Sequence, residues 1–160
     1  MNYSIKETYL TIQGEGVYTG RVAVFCRFAG CNLWSGLEED RANAVCRFCD
    51  TEFVGIDGPG GGKFDSPENL TNHILSFWRG TDKPFVVFTG GEPLLQMDDE
   101  LIEELKNGHV EIAIETNGTI IPPDRIDWIC VSPKQEAKLL VTKGDELKIV
   151  YPQDLSLIHI

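Results

Sequence analysis

The chain has 160 residues, 42% of them hydrophobic and 24% charged, a composition typical of a globular protein with one domain and a sizeable core. Its formal net charge of −11 argues against a nucleic-acid partner, because phosphate binding needs a surface rich in lysine and arginine. No apolar run approaches the roughly 20 residues of a membrane helix, and no secretory signal opens the chain. We therefore expect a cytoplasmic protein, without a membrane or nucleic-acid partner, that binds small molecules.

Three of the five cysteines lie close together in the sequence. Cys31, Cys46 and Cys49 have the spacing Cys-x14-Cys-x2-Cys. An odd number of cysteines in a reducing compartment favours metal ligation over disulfides. These residues are therefore the first candidates for a functional site.

The three thiols fit two kinds of metal centre. An iron–sulfur cubane normally takes four cysteines, so three would leave one iron open to bind and activate a small molecule. A structural zinc ion would need a fourth ligand, from Cys26, Cys130 or a histidine. On the cysteines alone, a catalytic cluster and a zinc-stabilised binding module without catalysis both remain open.

The first thirty residues predict two strands joined by a turn. Residues 3–12 are extended and lead into 13–16, where Gly14 and Gly16 allow a tight turn with backbone amides free for a ligand. Residues 22–28 alternate in polarity, which places Arg27 near the end of a strand, on the face opposite Cys26. A half-buried Arg27 needs an anionic partner, either a structural salt bridge or a carboxylate ligand.

The middle of the chain predicts less regular structure. Residues 32–45 indicate a loop with at most a turn or two of helix. The glycine-rich run 55–63 is expected to be a flexible surface loop rather than a phosphate-binding loop, because Phe64 stands where Ser or Thr is required. Ser66 and Pro67 predict the start of a helix that runs to about Arg79 and ends at Gly80.

From residue 83 the pattern repeats as strand, loop and helix. We predict strands at 84–88, 110–114, 128–131 and 147–151, with a helix at 97–107 that ends at Gly108. Polar or glycine-rich segments follow the strands, at 89–93, 115–118 and 132–134, and Cys31 follows the strand 22–28 in the same way. An α/β fold puts its active site at this edge. A hydrophobic wall facing the interior is expected from Val24, Phe85, Val87 and Ile112.

Together these motifs resemble the radical S-adenosylmethionine superfamily and, within it, the 7-carboxy-7-deazaguanine synthase family, over residues 3–152. The resemblance rests on the three cysteines and on three further motifs: Ile12-Gln13-Gly14-Glu15-Gly16, Gly90-Gly91-Glu92-Pro93 and Ser132-Pro133-Lys134. The superfamily usually has three residues in the first cysteine gap, and the gap of fourteen is a departure that some members of the synthase family share. A glycyl-radical activating enzyme, the second interpretation within the superfamily, should have the shorter gap.

The resemblance implies a partial TIM-type β/α barrel and a lyase of queuosine biosynthesis, the pathway to a tRNA modification. The family's reaction converts 6-carboxy-5,6,7,8-tetrahydropterin to 7-carboxy-7-deazaguanine with loss of ammonia, through a 5'-deoxyadenosyl radical. A homodimer and an electron donor such as flavodoxin or ferredoxin are also implied.

The resemblance further implies a role for each matching residue. A [4Fe-4S] cluster would be held by Cys31, Cys46 and Cys49. S-adenosylmethionine would be bound by Phe48, Cys49, Asp50, Gly91, Ser132, Pro133 and Lys134. Thr51 would be a ligand of Mg²⁺. The pterin would contact Ile12, Gln13, Gly14, Arg27 and Thr89.

The carboxyl-terminal end departs from the family's pattern. The chain stops eight residues after Pro152, whereas the family continues for several tens of residues. We therefore expect residues 1–160 to be a single radical S-adenosylmethionine domain that is truncated at its end. Such a chain is expected to cleave the cofactor while forming little product.

Overall fold

A seven-stranded sheet organises residues 2–150, the part of the chain that this computed structural model describes. Its strands are, in chain order, β1 (Tyr3–Ile12), β2 (Val22–Phe28), β3 (Gly62–Phe64), β4 (Phe85–Gly90), β5 (Glu111–Thr116), β6 (Trp128–Val131) and β7 (Glu146–Leu147). The helices are α1 (Pro67–Leu75) and α2 (Asp99–Asn107), and short 3-10 turns lie at Glu38–Asn43 and Pro93–Leu95.

The order of the strands across the sheet is β3-β1-β2-β4-β5-β6-β7. β1 pairs antiparallel with β2 and β3, and every pair from β2 to β7 is parallel. Within the described residues β3 and β7 remain as the two edges, so the sheet is an open, partial β/α barrel. The predicted fold class is confirmed.

Alternation along the strands divides the sheet into a helix-covered face and an open face. The helix-covered face packs Val24, Val86 and Ile112 against both helices, whereas the open face carries Phe85 and Val87. The expectation that Val24 and Ile112 line the interior with Phe85 and Val87 is therefore wrong. The reason is register: Val24 and Ile112 both pair with Val86, and a shift by one residue moves a side chain to the other face.

The predicted helices exist, but their ends differ from those expected. α1 begins after Ser66, whose hydroxyl accepts a hydrogen bond from the Asn69 amide at 3.2 Å, and it ends at Leu75 rather than near Arg79. The amides of Phe77 and Trp78 instead close two 3-10 turns after the helix. α2 begins after the capping residue Asp98, two residues later than predicted.

The predicted strand bounds agree closely with the structure. β1, β2 and β6 have the expected limits, while β4 and β5 each continue two residues further at the carboxyl end. β7 is described at Glu146–Leu147, and Tyr151 and the tail 153–160 of the sequence lie outside the described residues. No helix within residues 2–150 is long and apolar enough to cross a membrane.

The glycine-rich run after residue 55 is packed against β1, which corrects the expectation of a flexible loop. The Thr8 amide donates to the Pro59 carbonyl at 2.8 Å, and the Gly58 amide donates to the Lys6 carbonyl at 3.0 Å. Gly60 has a φ of +65°, and a Cβ placed there would lie 2.5 Å from the Thr8 carbonyl oxygen. The run then continues into the edge strand β3.

This packing predicts different effects for two glycine-to-alanine changes. Gly60→Ala and Gly20→Ala both place alanine at a positive φ, which costs about 1–2 kcal/mol, but a Cβ at Gly20 meets no atom within 4 Å. The clash at Gly60 should raise the loss in free energy of unfolding by a further ~1–3 kcal/mol. Urea unfolding of both variants measures the difference. Equal losses in free energy of unfolding would mean that the glycine-rich run moves to accommodate the added Cβ at no cost.

Candidate active site

A cavity of about 660 Å³ opens at the carboxyl ends of the parallel strands, a size usual for a small-molecule site. Its lining includes all the predicted cluster ligands, Cys31, Cys46 and Cys49. It also includes the other predicted residues Ile12, Gln13, Gly14, Arg27, Phe48, Asp50, Thr51, Thr89, Gly91, Ser132 and Lys134. Pro133 is buried and does not line the cavity. The structure thus brings together every predicted site residue except Pro133.

Cys46 and Cys49 lie in direct contact, and Cys31 lies on the same cavity wall. The hydrogen bond from the Cys46 thiol lowers the pKa of Cys49 to about 6 and raises the pKa of Cys46. The backbone and the hydroxyl of Thr51 also hydrogen-bond to the Cys49 sulfur and favour its thiolate. Since the thiolate is the form that binds metal, Cys49 is the member of this pair that is favoured for ligation.

The donor set fits a cluster better than a single ion. Within residues 2–150, no three His, Cys, Asp or Glu side chains converge to hold a metal ion, as zinc requires with its sulfur ligands at about 2.3 Å. In a cubane each cysteine binds a different iron, so the thiols need only surround a common space. All five cysteines are free of disulfides, so the three in the cavity remain available.

None of the fourth zinc ligands considered from the sequence lines this cavity within residues 2–150. Cys26 is fully buried in the sheet beside Thr8, and Cys130 lies against β7 rather than near the other thiols. His73 on α1 contacts the Gly60 carbonyl at 2.8 Å, and its ring packs between those of Phe64 and Phe77. His109 is exposed between α2 and β5 and does not line the cavity, and the last histidine, His159, falls outside the described residues.

Two glycines place the loop after β4 directly against the first cysteine. A Cβ at Gly91 would lie 2.1 Å from the Gly30 carbonyl oxygen and 2.8 Å from the Cys31 Cβ, and a Cβ at Gly90 would lie 2.4 Å from the Phe28 carbonyl oxygen. The Glu92 amide also donates to the Gly30 carbonyl at 3.0 Å. Only glycine allows the backbone at these two positions to come so close to Phe28 and Gly30. The contact joins the carboxyl ends of β2 and β4.

A lysine on the segment after β6, Lys134, also lines the cavity. The Lys134 ammonium donates to the Ser132 hydroxyl at 2.7 Å and to the carbonyl of the same residue. Burial lowers the pKa of Lys134, although the nearby cysteines oppose this effect. The ammonium therefore brings positive charge towards the thiolates.

A row of polar side chains crosses the open face of the sheet below the cysteines. The strand register aligns Glu7 with Arg27 and Arg27 with Thr89. The Arg27 Nε donates to a Glu7 carboxylate oxygen at 2.8 Å, so the structural salt bridge considered for Arg27 exists. Within the described residues no hydrogen bond from the two terminal nitrogens of Arg27 is found, and Arg27 lines the cavity. The residue can therefore keep Glu7 and still bind a second carboxylate.

Sequence reasoning missed an ion-pair network beside this row. Lys148 donates to Glu15 and Glu115, each at 2.9 Å, and Thr89 donates to Glu115 at 3.3 Å. Burial would lower the pKa of Lys148, but the two carboxylates outweigh it and raise that pKa. Glu115 is the second-last residue of β5 and lies at the functional edge, a signal that could have identified it, whereas Lys148 falls inside the strand predicted at 147–151.

The fully buried Glu92 was also missed as a supporting residue. One of its carboxylate oxygens accepts from the Leu94 amide and the Thr116 hydroxyl, at 3.0 and 2.8 Å, and the other accepts from the Asn117 amide at 2.8 Å. Burial raises the pKa of Glu92, whereas these three hydrogen bonds oppose the rise. The side chain ties the loop after β4 to the loop after β5.

This arrangement predicts that Glu92→Gln destabilises the protein. The amide group would point an N–H at a backbone or hydroxyl donor, and one buried donor would lose its partner at a cost of about 1–3 kcal/mol. Urea unfolding at neutral pH measures the effect, with the exposed Glu103→Gln on α2 as the control that should change little. Equal stability of the two variants would contradict a bridging role for Glu92.

Comparisons with known proteins agree with this geometry. Residues 40–132 match the sequence profile of the Radical SAM superfamily. The 7-carboxy-7-deazaguanine synthase of Burkholderia multivorans is 60% identical over 155 residues, which are 96% of this chain and 74% of that protein. The synthase of Bradyrhizobium diazoefficiens is 57% identical over 157 residues, 98% of this chain and 75% of that protein.

A solved structure is also similar. The crystal structure of QueE from Escherichia coli superposes with a TM-score of 0.65 at 27% identity, covering 93% of this chain and 70% of that one. The chain thus spans about three quarters of the length of the curated relatives it matches. These matches favour neither the glycyl-radical activating enzyme nor the zinc-stabilised module. This chain belongs to the radical SAM superfamily and, within it, to the 7-carboxy-7-deazaguanine synthase family.

Proposed function

We propose that this chain is a lyase that converts 6-carboxy-5,6,7,8-tetrahydropterin to 7-carboxy-7-deazaguanine with loss of ammonia. The observation that carries the proposal is the single cavity in which the three cysteines, the loop after β4 and Arg27 meet. The identity of 60% with a named synthase, over nearly the whole chain, supports the same reaction.

Membership of the radical SAM superfamily implies a [4Fe-4S] cluster and S-adenosylmethionine. Cys31, Cys46 and Cys49 would hold the cluster, since all three thiols are free and line the cavity. When bound, the cluster and S-adenosylmethionine supply the 5'-deoxyadenosyl radical that takes hydrogen from the substrate.

The cofactor would lie between the cysteines and the segment after β6. The backbone at Gly91 faces the cavity without a side chain in the way, and Ser132 and Lys134 line the opposite side. Phe48 is 40% exposed, so its ring offers an apolar surface to the cofactor. Cys49 and Asp50 complete this lining, with Pro133 supporting it from a buried position.

The substrate would lie above the open face of the sheet. Arg27 can bind the pterin carboxylate with its terminal nitrogens, a geometry for which the guanidinium is suited. Thr89 and the segment Ile12, Gln13 and Gly14 would border the ring. A Cβ at Gly14 would meet no atom within 4 Å, so the glycine keeps this part of the cavity open rather than relieving a contact.

Thr51 would ligate Mg²⁺ beside the substrate. Its hydroxyl donates a hydrogen bond to the Cys49 sulfur, which leaves the lone pairs of the hydroxyl oxygen for a hard cation. We further propose a homodimer and a flavodoxin or ferredoxin as the electron donor, both on family resemblance.

The proposed cluster predicts a sharp division among the five cysteines. Replacing Cys31, Cys46 or Cys49 singly with Ala should abolish cluster assembly, whereas Cys26→Ala and Cys130→Ala should leave iron content near that of the unchanged chain. Cys26 and Cys130 are 0% and 5% exposed and lie outside the cavity, where a thiol acts as a small hydrophobic group.

Anaerobic reconstitution, iron and sulfide analysis and the visible spectrum test this prediction, and liquid chromatography with mass spectrometry tests conversion of the pterin by the unchanged chain. Zinc without iron, or equal iron loss in all five variants, would contradict the cluster assignment. A loaded chain that neither cleaves S-adenosylmethionine nor makes 7-carboxy-7-deazaguanine would contradict the proposed reaction.

The proposed substrate contact predicts that Arg27→Ala lowers turnover of the pterin at least tenfold in a chain extended by the family's carboxyl-terminal segment. Loss of a buried arginine–carboxylate contact costs about 2–5 kcal/mol, and 1.4 kcal/mol corresponds to a factor of ten. Cleavage of S-adenosylmethionine without substrate should remain near normal, because Arg27 is assigned only to the pterin.

Arg21→Ala is the matched control for this variant. Arg21 also pairs with a glutamate, donating twice to Glu111 at 2.6 Å, but it does not line the large cavity. Steady-state kinetics of product formation should separate the two variants. If Arg27→Ala weakens binding of the cofactor and the pterin equally, Arg27 serves the structure through Glu7 alone.

A further inference from the structure

The long segment between the first two cysteines is held in place by contacts of its own side chains. Residues 32–45 contain a 3-10 turn, Glu38–Asn43, none of whose residues is buried. Such a short, exposed turn has little stability of its own. The contacts that hold it therefore have to come from particular side chains, and Arg41 makes most of them.

Arg41 spans this segment and reaches the third cysteine. Its Nη1 donates to the carbonyl of Arg47 at 2.8 Å and to the carbonyl of Cys49 at 3.0 Å. Its Nε donates to the Glu38 carboxylate at 2.8 Å. One guanidinium thus connects the start of the 3-10 turn with the backbone of the Cys-x2-Cys segment at two points.

A tryptophan supports the guanidinium from below. The central carbon of Arg41 lies 4.1 Å from the centroid of the Trp34 ring, a cation–π arrangement. Trp34 is 8% exposed, donates to the Leu37 carbonyl at 3.1 Å and meets Phe53 edge to face at a centroid distance of 5.7 Å. Cys31 and Cys49 pack against this aromatic cluster. The platform under Arg41 is therefore fixed to the same wall that carries the thiols.

The second cysteine is held separately. The amides of Val45 and Cys46 both donate to the Leu33 carbonyl, at 3.0 and 3.3 Å, and the Leu33 amide donates to the Cys31 sulfur at 3.4 Å. Leu33 thus links Cys31 with Cys46. The hydrogen bond that joins the Cys49 carbonyl to this segment comes from Arg41.

We infer that Arg41 is a positioning residue that sets the backbone of Cys49 in place for the cluster. The inference deepens the proposed function and rests on the cluster that it assigns. A lysine at this position would keep the charge but lose the planar fork that serves two carbonyls and a carboxylate while stacking on an indole. Both Arg41→Ala and Arg41→Lys should therefore loosen the third ligand.

The first arm of the test uses the chain without a cluster. Anaerobic alkylation with iodoacetamide, resolved for each cysteine by mass spectrometry, measures how readily the Cys49 thiol is reached. We expect alkylation at Cys49 to be about tenfold faster in both Arg41 variants, a factor that corresponds to ~1.4 kcal/mol. Alkylation of Cys130, outside this segment, should not change.

The second arm uses the reconstituted chain. Iron loss to a chelator should be about tenfold faster in both Arg41 variants. Without the cluster their thermal midpoints should fall by no more than about 4 °C, because the 3-10 turn buries none of its residues. Arg79→Lys is the matched control, since Arg79 also donates to a backbone carbonyl, that of Ser76 at 3.0 Å, at an exposed site remote from the cysteines.

The two arms separate the possible failures. If the unchanged chain assembles no cluster, the proposed function fails, and the alkylation arm still decides the role of Arg41. If Arg41→Lys matches the unchanged chain in both rates, charge alone suffices and the positioning role is overturned. Faster alkylation at all five cysteines with a lowered thermal midpoint would likewise overturn it, because the residue would then serve general stability.

Discussion

The site depends on the close approach of two backbones, at Gly30 and Gly91. A side chain at Gly91 would overlap the Gly30 carbonyl, so the two strand ends can meet only because this position has no Cβ. The Glu92 amide then bonds to Gly30, and the buried Glu92 carboxylate extends the connection to the loop after β5. Three loops that are far apart in the sequence thus form one rim beside Cys31. Much of the cavity's geometry follows from this contact.

The open face below that rim carries charges that are already paired. Arg27 contacts Glu7, and Lys148 contacts both Glu15 and Glu115. An unpaired charge in a closed cavity is costly, whereas a paired one can exchange or share its partner when a charged ligand enters. Arg27 illustrates the second case, because Glu7 occupies its Nε and leaves the terminal nitrogens towards the cavity. The face is therefore suited to a ligand that has a carboxylate at one end.

Local pattern predicted the elements and the rim, but not the packing between them. Alternation predicted the limits of β2, and extended or apolar runs predicted those of β1 and β6. The rule that sites follow strand ends located Cys31, Gly91 and Ser132 correctly on one cavity. The prediction that Val24 and Ile112 face the interior with Phe85 and Val87 was wrong. Which face a side chain lies on depends on the register between strands, and the sequence of one strand does not determine that register. The packed run 55–63 was missed for a similar reason, since its partners Lys6 and Thr8 lie some fifty residues earlier. Lys148 and Glu92 likewise have roles that only tertiary contacts reveal.

The fourteen-residue cysteine gap is compatible with the same chemistry because a cluster needs thiols placed in space, not at a fixed spacing in sequence. Lengthening a loop from three residues to fourteen costs only ~1.4 kcal/mol of closure entropy. One cation–π contact, at ~0.5–2 kcal/mol, and the hydrogen bonds of the Arg41 guanidinium are enough to offset that cost. A longer gap between the first two cysteines is therefore tolerated where the added segment contains an aromatic ring and an arginine that stacks on it. Trp34 and Arg41 supply both here.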